Sequence, residues 1–197
     1  SGFDTIEECY EELTPQVHAL ETGLSSDPSM NRRLSALDSF HLISNSDAHS
    51  PAKLGREANL FDIPMSYDGL YGAIQRGEGL AGTIEFFPEE GKYHFDGHRK
   101  CHLCLSPSQA RQYNGICPVC GKKLTTGVLH RIEQLADRQE DFILPGGRPY
   151  ENLVPLPEVI AACMGSSSAS VKVTRQYEHM LEELGNEFHI LRSAGLD

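Results

Sequence analysis

The sequence has no long apolar run. None of its 197 residues falls in a stretch approaching the roughly 18 consecutive apolar residues that a membrane-spanning helix needs. Its first residues also lack a basic end followed by an apolar segment, so no secretory signal is visible. We therefore expect a soluble protein in the reducing cytoplasm, where cysteines are more often metal ligands or buried thiols than disulfides. Six cysteines are present, and Cys9 and Cys163 are interpreted as thiols that line the core.

Acidic residues are missing from one segment of an otherwise acidic chain. The formal net charge of −11 argues against a simple nucleic-acid coat, because phosphate binding depends on Lys and Arg. All 28 acidic residues, however, lie outside residues 97–132. Six basic residues lie within that segment: Arg99, Lys100, Arg111, Lys122, Lys123 and Arg131. Positive charge is therefore concentrated in residues 97–132, and the rest of the chain is acidic.

Short apolar runs alternate with helical segments in the first half of the chain. The runs VHALE, HLIS and LAGTIEFF are predicted strands, and the alternation indicates parallel βα units and an α/β fold. We expect three regions. Residues 1–96 form the α/β part, residues 97–144 a cysteine-containing module with an exiting helix, and residues 145–197 a linker and helices over PLPEVIAACMG and VKVTRQYEHMLEELG.

Four cysteines form two pairs that suit a metal. Cys101, Cys104, Cys117 and Cys120 have the pattern C-x2-C-x12-C-x2-C, and four thiolates suit tetrahedral zinc. Such a site has no ligand position left for water, so we expect a structural zinc. Unconnected buried thiols and a redox role for the pairs are the weaker alternatives, and His102 could replace one cysteine.

An acid and a histidine follow the predicted strand HLIS. Asp47 and His49 lie just beyond its carboxyl end, where α/β folds collect their chemistry. Residues two apart in an extended chain point the same way, so the pair could present a carboxylate and an imidazole to one metal or to adjacent metals. The alternative is that Ser46 and Asp47 only cap the turn.

The segment SNSDAHSP resembles the last ligand motif of the polymerase and histidinol phosphatase (PHP) family. Together with ETGLSSDPSMNRRLSALD, GHRKCHLCLSP, CPVCGKKLTTGVLHRIEQLADR and the PLPEVIA segment, it resembles the endonuclease Q type of PHP protein over nearly the whole chain. That resemblance implies the carboxyl-terminal portion of a PHP-type βα barrel, a zinc module and a helical end. It also implies a metal-dependent enzyme that nicks DNA on the 5′ side of deaminated bases.

The resemblance assigns roles to particular residues. It implies that Asp47 and His49 bind divalent metals (Zn, Mn or Mg) in the active site and that the four cysteines bind the structural zinc. Glu21 ends the predicted strand VHALE and resembles an acid near the PHP site. A role in supporting the metal ligands, or simply in ending the strand, is at least as good an interpretation for Glu21 as direct metal binding. The partner implied is DNA containing deaminated bases, whose backbone phosphates the six basic residues of the module would contact without reading sequence.

The sequence departs from the PHP pattern in its first residues. No H-x-H pair or further ligand set lies upstream of residue 16. Surface or hydrogen-bonded roles are favoured for four histidines that have no partner at a recognisable spacing: His18, His41, His94 and His98. We therefore expect this chain to be the carboxyl-terminal part of the enzyme and to be inactive alone. Two alternatives remain: a PHP-type phosphoesterase acting on a small phosphate ester, and a non-catalytic zinc module that binds nucleic acid.

Overall fold

The computed structural model describes residues 3–195, which form two compact units. The first unit runs to Asn152 and the second begins at Leu153. The division into residues 1–96, 97–144 and 145–197 stays a prediction. In the described part of the chain, none of the helices has the length and apolar character needed to cross a membrane.

Two short parallel strands lie near the start of the first unit. Strand β1 (Ala19–Glu21) pairs with β2 (His41–Ile43), with Leu20 opposite Leu42, as the runs VHALE and HLIS predicted. The connection contains the one-turn helix α2 (Pro28–Asn31), which follows α1 (Ile6–Tyr10) along the chain. Asp27 begins α2 because its side chain accepts the backbone N–H of Met30 at 2.8 Å.

A second sheet contains strands β3 (Ala58–Phe61), β4 (Leu80–Glu85) and β7 (Tyr150–Asn152) in the order β3-β4-β7. Strand β7 is parallel to β4, whereas β3, which the sequence did not predict, is antiparallel to it. Helix α3 (Tyr67–Arg76) lies in the β3–β4 connection, which returns the chain in the opposite direction. The α/β class with parallel strands is confirmed, whereas a closed barrel stays a prediction.

One buried serine joins these two sheets. Ser44, directly after β2, is fully buried, and its hydroxyl donates to the carbonyl of Ile84 in β4 at 2.8 Å. Its backbone N–H donates to Oδ1 of Asn59 in β3, whose amide donates in turn to the Ser44 carbonyl. The carboxyl ends of β2 and β4 are therefore held side by side.

The cysteine-containing segment forms a small sheet with two helices. Strand β5 (Asp96–His98) pairs in antiparallel fashion with β6 (Leu103–Leu105), and α4 (Pro107–Gln112) and α5 (Val128–Leu135) follow. Its buried core contains Leu105, Ala110, Cys117 and Leu124. The fully buried Asp96 accepts the backbone N–H of Gly127, directly before α5, at 2.6 Å. The exiting helix predicted from GVLHRIEQLADRQ is confirmed as α5.

The second unit is helical, as predicted. It contains α6 (Leu156–Met164), α7 (Val171–Leu184) and α8 (Glu187–Arg192). Val173 of α7 is fully buried in a core with Leu156, Ile160 and Ala161 of α6. Helix α6 ends at Gly165, whose φ of 58° lies in the left-handed region that glycine adopts readily.

The two remaining cysteines do not line the core. Cys9 and Cys163 are both exposed, so their interpretation as buried thiols was wrong. Cys9 belongs to α1, a five-residue helix that buries none of its side chains, and Cys163 lies in α6, whose buried positions are Leu156, Ile160 and Ala161. Residue type alone therefore misled the prediction, because neither cysteine lies on a buried helix face.

Candidate functional site

Asp47 and His49 lie in an exposed turn beyond β2. Their side chains are 71% and 86% exposed, and the closest carboxylate oxygen of Asp47 is 3.9 Å from Nδ1 of His49. The ring nitrogen Nδ1 of His49 is 2.8 Å from the backbone carbonyl of Asp47, so Nε2 is the nitrogen left for a ligand. Asp47 has φ of 46°, a left-handed conformation that Asp tolerates better than most residues. Both side chains are thus accessible to a metal or substrate.

Glu21 ends β1 beside the same turn. Its carboxylate accepts a hydrogen bond from the side-chain amide of Asn45 at 3.2 Å, and Asn45 precedes Asp47 by two residues. Among residues 3–195, however, these three side chains do not converge as a metal-binding group of three ligand atoms. The structure therefore places Glu21 at the end of β1, hydrogen-bonded to the segment before Asp47, and the roles of Glu21, Asp47 and His49 at a metal site stay predictions.

A buried carboxylate lies at the carboxyl end of β4. Glu85 is fully buried, and its two carboxylate oxygens accept hydrogen bonds from the hydroxyls of Thr22 at 2.9 Å and Thr83 at 2.5 Å. Burial raises the pKa of Glu85 to about 7, and the hydroxyl donors act in the opposite direction. An acid was visible at the end of the predicted strand LAGTIEFF, so the signal that singled out Asp47 could also have found Glu85.

A second buried carboxylate faces the first. Glu57 precedes β3, is 3% exposed, and neither of its carboxylate oxygens has a hydrogen-bond partner at normal geometry among the described residues. Burial raises its pKa to about 7 and the negative charge of Glu85 adds to the rise, whereas the backbone N–H of Phe86 opposes it. Sequence reasoning missed Glu57, because nothing in GREANL indicates that this acid is buried.

The cysteine segment brings four possible metal ligands together. Ligand atoms of His98, Cys101, Cys117 and Cys120 all lie within 4.8 Å of one another. Desolvation opposes ionisation of the Cys117 thiol, but the backbone N–H groups of Cys120 and Val119 lower its pKa, which favours the thiolate that binds metals. One imidazole and three thiolates form a common donor set for tetrahedral zinc.

Cys104 lies outside this cluster. It is exposed in the middle of β6, opposite Gly97, whereas Cys101 lies in the turn before that strand. The first C-x-x-C pair therefore does not converge on one point, since only Cys101 of the two belongs to the cluster. His98, at the end of β5, takes the fourth place, and its Nδ1 is 3.4 Å from Sγ of Cys120. The other scattered histidines include His94, which is buried with Nδ1 3.1 Å from the Ser25 carbonyl.

The six basic residues of the module divide into two sets. Arg111 forms an ion pair with Glu133 at 2.9 Å, and Arg131 contacts Asp4 and Gln134. The other four are exposed and form no ion pair with any residue between 3 and 195: Arg99, Lys100, Lys122 and Lys123. These four are the cations that could meet phosphate without first losing a carboxylate partner.

Two solved structures share this architecture over almost the whole chain. The lesion-specific endonuclease PfuEndoQ from Pyrococcus furiosus superimposes with a TM-score of 0.85 and 31% identity, covering 98% of this chain and 49% of its own. The resemblance to endonuclease Q is confirmed. An endonuclease Q complex with a 27-mer duplex carrying an abasic lesion at the active site gives the same TM-score at 30% identity, with 96% and 48% covered.

Two relatives match the chain by sequence. The uncharacterized protein MJ0043 of Methanocaldococcus jannaschii is 34% identical over the whole of this chain, which covers 25% of that protein. The uncharacterized protein YqxK of Bacillus subtilis is 31% identical over 71% of this chain and 35% of its own. The chain therefore spans about half the length of the solved endonucleases and less of these two proteins. No protein-family model matches the chain.

The cluster predicts which side chains are needed to retain zinc. We expect Cys117→Ser and His98→Ala to lose stoichiometric zinc and to unfold the module, because a structural metal supplies folding free energy directly. Cys104→Ser is the matched control and should keep the ion. Elemental analysis of dialysed proteins, with a thermal melt of each, measures both effects. If Cys104→Ser loses zinc as Cys117→Ser does, the four-cysteine ligand set of the sequence prediction holds instead.

The buried carboxylates predict a pH dependence of stability. A carboxyl whose pKa rises on folding, here from 4.5 to about 7, contributes stability that is present below the unfolded value and lost as pH rises through the folded value. Between about pH 5 and pH 8, we expect the parent to lose on the order of 1–3 kcal/mol more unfolding free energy than Glu57→Gln. Urea titrations without added divalent cations measure this, with the exposed Glu12→Gln as control. Equal pH slopes in all three proteins would contradict the prediction.

Proposed function

We propose that this chain is part of a metal-dependent DNA endonuclease that nicks the backbone on the 5′ side of deaminated bases. One observation supports this above the others: a TM-score of 0.85 to a lesion-specific endonuclease over 98% of the chain. A second related endonuclease holds duplex DNA with an abasic lesion at its active site. The proposed substrate is therefore a duplex with a damaged or deaminated position, and the proposed role is DNA repair.

Asp47 and His49 would hold one side of the catalytic metal cluster, as in the PHP family. Their donor set of carboxylate oxygen and imidazole nitrogen fits Zn or Mn, and Mg through the carboxylate, and both side chains are accessible. Bound divalent cations would polarise the phosphodiester and lower the pKa of a metal-bound water. The remaining ligands would come from a segment outside these 197 residues, so the chain alone would be inactive.

Glu21 and Asn45 would position this turn. The Asn45 amide donates to Glu21 at the end of β1, and Nδ2 of Asn59 lies 3.4 Å from Oδ1 of Asn45. Because Asn59 is also bonded to Ser44, the segment before Asp47 is fixed at both strands. Such outer hydrogen bonds orient metal-binding side chains and are needed for tight metal binding.

The Cys/His cluster would hold a structural zinc, and the surface around it would contact DNA. A zinc site with four protein ligands has no position for a reacting water, so its role would be to fix the backbone on which the cations stand. Arg99, Lys100, Lys122 and Lys123 are exposed there without ion pairs to described residues. They would bind backbone phosphates without sequence preference, while the damaged nucleotide is taken out of the stack where pairing is already weak.

A non-catalytic role is the second candidate for this chain. It is favoured by one observation: Asp47, His49 and Glu21 do not form a three-ligand metal group among the described residues. In that case the zinc module would bind DNA, and the strand ends would only shape the fold. The two candidates differ in one result. A protein extended to include the remaining proposed metal ligands would nick damaged duplex in the first case and leave it uncut in the second.

Loss of the Asp47 carboxylate separates these candidates. In a protein extended to the full length of its relatives, we expect Asp47→Ala to abolish manganese- or magnesium-stimulated nicking of uracil-containing duplex and to leave duplex binding within about twofold, because the residue would hold metal and not the DNA backbone. The exposed Asp141→Ala is the matched control. Gel separation of nicked strands and fluorescence anisotropy measure the two quantities.

Retained nicking by Asp47→Ala would show that the motif is a turn only. No nicking by the parent with either metal would favour the binding module. Hydrolysis of free nucleotides in preference to the damaged duplex would favour the small phosphoesterase.

The basic surface predicts weak DNA binding with little sequence preference. Replacing Lys122 and Lys123 with Glu should reduce affinity about tenfold or more at low salt, equally for normal and uracil-containing strands, and should flatten the salt dependence. A variant with Lys172→Glu and Arg175→Glu in α7 carries the same change of charge and serves as control. Anisotropy titrations at several salt concentrations measure both effects. Parental affinity in the Lys122/Lys123 variant would mean that this surface is only solvated.

A further inference from the structure

The two buried carboxylates are neighbours across the β3–β4 pair. Ala58 lies opposite Ile84 in this antiparallel ladder, and continuing the register by one residue would bring Glu57 opposite Glu85, whose negative charge acts on Glu57. Side chains directly opposite in such a ladder have Cβ atoms about 5 Å apart, and like charges there repel. Both residues are at least 97% buried, so water cannot screen that repulsion.

Only one member of the pair is satisfied by the protein. Glu85 accepts hydrogen bonds from the hydroxyls of Thr22 and Thr83, a setting that suits its ionised form. Glu57 has two buried oxygens with no hydrogen bond of normal geometry among the described residues, and the backbone N–H of Phe86 offsets its burial only in part. A buried acceptor left unpaired costs about 1–3 kcal/mol, and more when it is charged. The positive charge of Arg56 lowers the pKa of Glu57, but Nε of Arg56 donates to the carbonyl of Ser46, and the net pKa of Glu57 is still raised.

The surroundings of the pair are rich in oxygen. Besides the four carboxylate oxygens, the hydroxyls of Thr22 and Thr83 lie against Glu85. No nitrogen or sulfur ligand belongs to the pair in the part of the chain that the structure describes. Oxygen-only donor sets suit hard cations such as Mg²⁺, Mn²⁺ and Ca²⁺. A cation between the two carboxylates would remove their repulsion and satisfy Glu57 at once.

We propose that Glu57 and Glu85 hold a divalent cation of this hard, oxygen-preferring class in a buried site. This site is distinct from the Asp47–His49 turn and from the Cys/His cluster, and it does not depend on the proposed nuclease activity. A proton held by the pair is the competing arrangement, because burial raises the pKa of both carboxyls and favours their protonated forms, and the metal-binding measurement below distinguishes the two. Through Thr22 and Ser44, the cation would brace the ends of β1, β2 and β4.

Manganese binding to the 197-residue chain tests this proposal. With the Cys/His cluster loaded with zinc, room-temperature electron paramagnetic resonance counts bound Mn²⁺ at about pH 7.5. We expect Glu57→Gln and Glu85→Gln each to weaken one Mn²⁺ site by about tenfold or more, because each loses a charged ligand. The double variant Asp47→Asn with His49→Gln should keep that site, since it changes only the exposed turn. Added Mn²⁺ should raise the melting temperature of the parent and not that of Glu57→Gln.

Two outcomes would overturn the proposal. In the first, the parent and Glu57→Gln bind Mn²⁺ with equal affinity and stoichiometry. The two carboxyls would then be protonated or hydrogen-bonded to a donor, and they would hold no cation. In the second, the site disappears in the Asp47/His49 variant and survives in Glu57→Gln. Should either glutamine variant fail to fold, Glu57→Asp keeps the charge but shortens the side chain, and it should show weakened Mn²⁺ binding with a folded circular dichroism spectrum. Parental Mn²⁺ affinity in Glu57→Asp would count against the site.

Discussion

The contacts of Ser44 hold the candidate site together. This fully buried residue donates its hydroxyl to the Ile84 carbonyl and exchanges backbone hydrogen bonds with the Asn59 side chain, and so joins β2 to β3 and β4. Without this junction, two small sheets would each end in isolated polar residues. With it, the acids at the ends of β1 and β4 and the turn after β2 meet on one side of the unit. Three strands of three to six residues, which are weak alone, thereby position a site together.

Local patterns were sufficient to predict several of the strands and helices of this fold. The runs HLIS and LAGTIEFF became β2 and β4, and the periodic segment VKVTRQYEHMLEELG became α7. They succeeded because each carries its own signal of alternation, helical spacing or capping. Strand β3 gave no such signal: its four residues, ANLF, are all half-buried, and only its pairing with β4 makes them a strand. Pairing direction depends on the whole chain path, which sequence periodicity does not contain.

In the candidate site, too, residues marked by their sequence neighbours could be predicted, and residues brought together by strand pairing could not. Asp47 and His49 were visible because they follow a strand within a few residues. The Cys/His cluster was predicted in three of its four members, but the spacing favoured Cys104 over His98, since the antiparallel β5–β6 pair that brings His98 close is not visible in C-x-x-C spacing. Glu57 and Glu85 are 28 positions apart and become neighbours only through the β3–β4 ladder. Residues whose role depends on a partner in another strand were the ones that sequence reasoning missed.

Electrostatics connect the two candidate sites of the first unit. Glu21 and Asp47, together with Glu57 and Glu85 when these are ionised, place negative charge at the strand ends, and this charge would repel a phosphate diester as long as no cation is bound there. The basic module, with four cations that no described carboxylate neutralises, would attract the same backbone. DNA would therefore be held by the module whether or not metals are present, whereas a phosphate could enter the strand-end site only together with divalent cations. Binding and cleavage would then respond differently to metal, because one depends on fixed positive charge and the other on charge that must be supplied.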